Sequence, residues 1–328
     1  MVFNSISDKL IPIQIKGVGK VGCAVLKNLN KNEFKVTEAS DSKSTISDPT
    51  GLNISEILNI KEHEKKNLNV YISSNNFYDF LDTANRPNII IDSQETKLLN
   101  SHNNYNFYEK ILRENNKVIF SARDTLFYGI DILLTEYSKN IGINAALNGI
   151  GRYLQSNLEL LRNKCLSFSA NCHPVSTFLI ELIEKGESLE NAINFGKEKR
   201  IFEYSIEDEL IAKNAFISIN IAANAIFGYK YDSSIFLQNL KEIDPDLIRY
   251  RKAKGKTTRL ICSAQAEGAI HLSYLEIEEH SPLYCSSDCV SYSFNLGREK
   301  THVVRGNGVG PLQTALAIFE DLNYLKNI

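Results

Sequence analysis

The segment "IKGVGKVGCAVL" carries Gly17, Gly19 and Gly22 in a G-x-G-x-x-G spacing close to the start of the chain. The residues before it, "LIPIQIKG" (10–17), read as a strand entering a turn, and "KVGCAVLKNL" (20–29) read as a helix. This spacing acquires meaning only in such a strand–turn–helix context. The first glycine permits the tight turn, the second lets the backbone approach a pyrophosphate, and the third lets helix pack on strand. The helix N-terminus then offers free N–H groups and the positive end of its dipole to phosphate. The chain is therefore expected to begin with a parallel sheet. Its dinucleotide site should include Gly17, Val18, Gly19, Lys20, Val21 and Gly22.

The next hundred residues continue the pattern. "FKVTEAS" (34–40), "NVYIS" (69–73), "NIIID" (88–92) and "KVIFSA" (117–122) read as further strands separated by helical stretches. That alternation predicts right-handed βαβ units and a Rossmann-type, doubly wound parallel sheet. Ligands of open parallel sheets sit at the carboxyl ends of strands. Ser93, Ser121 and Ala122 are accordingly expected near the ribose and nicotinamide. Asp41 follows the second strand, where an acid hydrogen-bonds the ribose and repels a 2′-phosphate, favouring NAD. Lys43 pulls the other way, so NAD and NADP both stay open. "IDILLTEYSKNIG" (130–142) reads as a helix capped at Gly142.

From about residue 150 the pattern becomes mixed α/β. "STFLIELIEKGESLENAINFGKE" (176–198) suggests two helices joined at Gly186. "SIEDELIAKNAFISINIAANAIFG" (205–228) reads as one long helix, opened by a Ser205/Asp208 capping pattern and closed by Gly228. On that helix Glu209 and Lys213 share a face four residues apart, and spacing alone makes them a surface ion pair. Four strand-like segments follow (258–265, 269–277, 289–296, 302–306), and then the helix "PLQTALAIFEDLNYL" (311–325) with Pro311 in its first turn. "RYRKAKGKTTR" (249–259) reads as a solvated basic loop able to close over an anionic substrate. His173, before Pro174, reads as either a structural histidine or a proton donor.

Composition narrows the function classes. With 43% hydrophobic residues, 23% charged residues and a net charge of -2, the chain has the make-up of a globular protein. It has no basic block of the kind that nucleic acid or an anionic membrane surface selects. The longest apolar run, "FISINIAANAIF", is interrupted by Ser and Asn, and no charged-then-apolar leader opens the chain. Cys285 and Cys289 lack a second ligand pair, so no metal is expected, and the scattered cysteines suggest reduced thiols in the cytoplasm.

Five segments together resemble one family, homoserine dehydrogenase, in its compact form without a regulatory domain. They are "GVGKVG" (17–22), "ASDSKSTISDPTGLNISEIL" (39–58), "KVIFSARDTLF" (117–127), "TFLIELIEKGESLENAINFGKE" (177–198) and "GNGVGPLQTALAIFEDL" (306–322). They span nearly the whole chain in the family's order. The resemblance implies a nucleotide-binding domain (1–137), a mixed α/β substrate-binding and dimerisation domain (138–302), and a C-terminal segment (303–328) returning to the first domain.

It also implies reversible, NAD- or NADP-dependent reduction of L-aspartate 4-semialdehyde to L-homoserine, a step of threonine and methionine biosynthesis, by a homodimer. In that frame Lys213 is the proton donor and acceptor, Glu198 and Glu209 hold the amino-acid substrate, and Gly308 joins the cofactor site. The chain departs from the family at Arg123–Asp124, where an Asn-Lys is usual, and at His173–Val175, where the family has Asn-Gly-Thr. Ala145 stands where a cation-binding glutamate is usual, and Glu209 stands where an aspartate is usual. Two readings follow from the departures. One is a divergent dehydrogenase, and the other is a catalytically impaired relative that binds a dinucleotide as a sensing or interaction module.

Overall fold

The computed structural model describes residues 10–71, 89–202, 205–228, 236–266, 268, 270–298, 300–307 and 310–328. The chain divides into two compact units, 1–146 with 310–328, and 147–309.

In the first unit, β1 (Ile11–Lys16), α1 (Lys20–Asn28) and β2 (Phe34–Ser40) form the opening βαβ unit, followed by a short β3 (Thr45–Ser47) and α2 (Ile54–Leu58). Next come β4 (Ile89–Asp92), α3 (Ser101–Arg113), β5 (Lys117–Phe120), α4 (Asp124–Glu136) and β6 (Ile141–Gly142). The sheet order is β3-β2-β1-β4-β5-β6. All pairings are parallel except β2 with β3. The strands are buried on both faces, as the fully buried Ile13, Ile15, Ile91 and Ile119 show. The strand order reverses between β1 and β4, the crevice where doubly wound sheets bind nucleotides.

Three expectations in this unit are corrected. Leu68–Val70 is a single 3-10 turn, not the start of a strand, and 72–73 lie outside the described residues. The helix expected over 130–142 begins at Asp124 and ends at Glu136. Gly142 sits in β6, where a Cβ would meet the Asp321 side chain at 2.6 Å. It is a glycine of close approach and not a helix cap.

The second unit opens with α5 (Gly151–Ser156), α6 (Leu158–Lys164), β7 (Ser167–Asn171), α7 (Pro174–Glu184) and α8 (Leu189–Lys199). It continues with α9 (Ile206–Leu210), α10 (Lys213–Phe227), β8 (Phe236–Leu237) and α11 (Pro245–Ala253). Three long strands, β9 (Lys256–Gln265), β10 (Ile270–Glu278) and β11 (Val290–Asn295), precede β12 (Thr301–Gly306). The sheet order is β12-β11-β7-β9-β10-β8, antiparallel apart from the β8–β10 pair.

The basic stretch 249–259 is not a loop. It supplies the end of α11 and the start of β9, and Arg259 is 1% exposed, paired with Glu184 at 3.2 Å and stacked over the Tyr284 ring. A buried guanidinium persists only with such partners.

The last helix, α12 (Pro311–Leu325), belongs to the first unit and buries Ala315, Ile318, Leu322 and Leu325 in that unit's core, together with Val25 and Leu26 of α1. The first unit runs to Ala146 and resumes at Gly310.

Candidate functional site

Two groups of residues are candidates for the chemistry, one in each unit. The first is built around the glycine turn. Gly17 has φ +94, and a Cβ there would meet the Ser93 backbone oxygen at 2.6 Å. At Gly22 a Cβ would collide with the Gly17 carbonyl oxygen. Both glycines are therefore demanded by the fold itself. Gly19 is different: its φ is -96, and a Cβ there would have no neighbour within 4 Å. Among the described residues no protein atom accounts for a glycine at 19, whereas a phosphate brought against the backbone would. The residues thus fit a pyrophosphate over this turn.

The surrounding bonds hold the turn in shape. Gly17 and Val18 donate their N–H groups to the Ser40 carbonyl at 3.0 and 2.8 Å. Ser93 donates its hydroxyl to the Gly17 carbonyl at 2.9 Å and its N–H to the Lys16 carbonyl at 2.8 Å. Helix α1 has no side-chain cap, and its first intrahelical bond runs from Cys23 to Gly19. The N–H groups of Lys20, Val21 and Gly22 therefore lack intrahelical acceptors. Ser121 and Ala122 follow β5, both donating N–H groups to the Asp92 carbonyl, at 2.8 and 3.1 Å. Gly308 lies outside the described residues.

Asp41, expected on the ribose, is engaged by the protein. One carboxylate oxygen accepts the N–H groups of Lys43 and Ser44, and the other accepts Lys61 Nζ at 2.8 Å and the Leu68 N–H at 2.8 Å. Burial by itself would raise this carboxyl, but the hydrogen bonds from Lys61, Leu68 and Lys43 outweigh it and bring it down to about 2.

Sequence reasoning missed a buried acidic pair beside the cofactor strands. Asp92 ends β4 and is 1% exposed; burial, then the Asp124 charge, push its carboxyl up to about 7. Asp124, at the first position of α4, is also raised by burial and accepts a hydrogen bond from Asn104 Nδ2. Arg123, beside Asp124 in sequence and also buried, donates through Nε to the Ala146 carbonyl at 2.9 Å. Ala145 packs in the hydrophobic core of the unit.

The second group overturns the helix expected over 205–228. Ala212 takes the left-handed conformation, φ 53 and ψ 41, and divides the segment into α9 and α10. Glu209 and Lys213 therefore do not share a helix face. Lys213 is the first residue of α10, and its Nζ meets Asp208 Oδ2 at 3.1 Å. Glu209 turns inward to 1% exposure, where its Oε2 lies 3.2 Å from His173 Nε2. His173 in turn caps α7: its Nδ1 accepts the Ser176 N–H at 3.3 Å and the Ser176 hydroxyl at 2.6 Å. Ser176 Oγ lies 3.0 Å from the buried Tyr274 hydroxyl, whose pKa burial raises. Glu198 is exposed on α8. The signal that could have exposed this network is His173-Pro174, a capping residue before a proline at the first helical position.

Among the described residues no three His, Cys, Asp or Glu side chains gather as a metal site, and no helix is long and apolar enough to cross a membrane.

Residues 153–322, more than half of the chain, match the homoserine dehydrogenase family model. The chain belongs to the homoserine dehydrogenase family. Residues 4–96, which include the glycine turn, match the model of the glutamate/leucine/phenylalanine/valine dehydrogenases. A homoserine dehydrogenase of Methanocaldococcus jannaschii is 24% identical over 337 residues, covering 96% of this chain and 98% of that protein.

Solved structures share the fold. A hyperthermophilic archaeal homoserine dehydrogenase in complex with NADPH has a TM-score of 0.76 at 19% identity, over 97% of this chain and 98% of that one. The homoserine dehydrogenase of Thermoplasma acidophilum has a TM-score of 0.74 at 21% identity, over 98% of this chain and 100% of that one. The homoserine dehydrogenase family consists of NAD(P)-dependent oxidoreductases.

Proposed function

We propose that the protein interconverts L-aspartate 4-semialdehyde and L-homoserine with NAD or NADP, Lys213 serving as proton donor and acceptor. The observation that carries the reading is Lys213 itself. Its side chain is 40% exposed at the start of α10, paired with a carboxylate, inside the segment that matches the family model. An accessible ammonium held by an acid is the group that aldehyde reduction needs beside the oxygen that gains a proton.

A bound dinucleotide supplies or accepts the hydride. Gly17, Gly19, Lys20 and Gly22 would receive its pyrophosphate at the α1 N-terminus. Ser93, Ser121 and Ala122 would stand at the strand ends that face its ribose and nicotinamide. Lys213 would give its proton to the oxygen of the aldehyde during reduction and recover one during oxidation. The substrate's own ammonium group requires a carboxylate that solvent can reach. Exposed Glu198 satisfies this condition, and buried Glu209 does not. A homodimer formed through the second unit, in the cytoplasm, completes the reading.

Asp124 favours a second reading, because a buried acid stands where the family resemblance puts a lysine. In that reading the chain binds a dinucleotide without oxidising an amino acid. Incubating purified protein with L-homoserine and NAD or NADP separates the two. Formation of reduced nicotinamide above background supports the dehydrogenase. Cofactor binding by fluorescence titration without turnover supports the module.

A further inference from the structure

We propose that Asp208, and not Glu209, is the carboxylate that acts beside Lys213, while His173 and Glu209 form a buried strut that holds the backbone break presenting the pair. The first half rests on the reading of Lys213 given above; the strut does not.

Access separates the two acids. The Asp208 side chain is 31% exposed, and that of Glu209 is 1% exposed. The break explains how they exchange places. In an unbroken helix residues 209 and 213 would face each other. With Ala212 left-handed, the chain turns between α9 and α10, and the lysine meets the acid five positions back. A non-glycine residue in this conformation costs about 1 kcal/mol or more and persists only where its surroundings fix it.

The surroundings here are a directional hydrogen-bond chain. A backbone N–H can only donate, so the Ser176 N–H makes His173 Nδ1 an acceptor. The Ser176 hydroxyl then donates to the same nitrogen and accepts from Tyr274. The imidazole proton is left on Nε2, pointing at the Glu209 carboxylate. Donation runs Tyr274, Ser176, His173, Glu209, from β10 through the cap of α7 to the end of α9. The Glu209 side chain is thereby tied three residues before the break. The Ser205 side chain fixes the opposite end of α9 by accepting the Asp208 N–H at 3.2 Å.

Three substitutions test the arrangement with L-homoserine as substrate. Asp208→Asn removes the accessible charge and should raise KM at least about tenfold. Glu209→Gln keeps an oxygen that accepts from Nε2 and should move KM by less than about threefold. His173→Asn keeps an acceptor for Ser176 but loses the donor to Glu209. It should lower kcat about tenfold, and His173→Gln, which restores a donor at that reach, should recover most of the loss. A Glu209→Gln protein whose KM rises as far as that of Asp208→Asn would overturn the assignment. So would an Asp208→Asn protein with unchanged KM.

The 15N spectrum of histidine-labelled wild-type protein reads the strut without turnover. His173 protonated at Nε2 alone is the expected result, and protonation at Nδ1 would overturn the strut. If wild-type protein does not turn over L-homoserine, the role of Asp208 falls with the catalytic reading, and the spectrum alone decides the strut.

Discussion

Lys61 donates to Asp41 Oδ2 at 2.8 Å, closing a ring of donors from four residues around the acid that follows the second strand of the nucleotide fold. A carboxylate with both oxygens so engaged has little capacity left for ribose hydroxyls, and its charge is balanced from within. The protein is therefore expected to discriminate weakly between coenzymes. Fluorescence titration should give NADH and NADPH dissociation constants within about tenfold of each other, equivalent to 1.4 kcal/mol.

The same ring has a pH signature. Asp41 titrates at about 2 in the folded protein, below its unfolded value. Between about pH 4 and pH 2 the unfolded chain therefore binds the proton first, and stability falls as pH falls. Above that window the contribution is fully present. The fall from 3.8 to about 2 corresponds to about 2 kcal/mol at most. Melting curves of wild type and Asp41→Asn should converge as the pH drops through this window.

The glycine turn separates fold from function within three residues. Gly19→Ala adds a methyl where nothing stands within 4 Å, so its melting temperature should match wild type. Its dinucleotide affinity should fall at least about tenfold, because the methyl occupies the phosphate approach. Gly17→Ala and Gly22→Ala drive a Cβ onto backbone atoms of Ser93 and Gly17 and should lose stability outright. Calorimetry with and without NADPH distinguishes the two behaviours.

Asp92 gives a shift of opposite sign. Its folded carboxyl stays protonated up to about 7, chiefly from burial and then from Asp124. Between about pH 4 and pH 7 the folded state holds a proton that the unfolded chain has lost, so this group lowers stability as pH rises. Asp92→Asn keeps an oxygen for the Gln94 N–H and removes the titration. It should stabilise the protein by about 2–4 kcal/mol at pH 8 and hardly at all near pH 4.

Where local chemistry and global packing agree, the sequence was legible. Phe34–Ser40 and Pro311–Leu325 have the bounds that their alternation, periodicity and leading proline indicate. The break at Ala212 was hidden because alanine is a strong helix former and neither glycine nor proline marks the turn. Three residues before it, Glu209 bonds to a histidine 36 residues earlier in the chain, a contact that no local pattern shows. Arg259 was misread because composition places arginine in solvent, whereas Glu184 and Tyr284 make a buried position tolerable. Of the candidate site, the glycine turn was legible because its geometry is local. The partners of Asp41, Glu209 and Lys213 were not, because tertiary contacts choose them.

In the proposed reaction the proton passes through the Lys213 amine. Steady-state oxidation of L-homoserine by wild-type and Lys213→Ala protein, with coenzyme affinity measured alongside, tests it most directly. Loss of a positioned proton acceptor should lower turnover by about a hundredfold to ten-thousandfold while coenzyme affinity stays within about twofold. A Lys213→Ala protein that oxidises L-homoserine at the wild-type rate would remove Lys213 from the proton transfer.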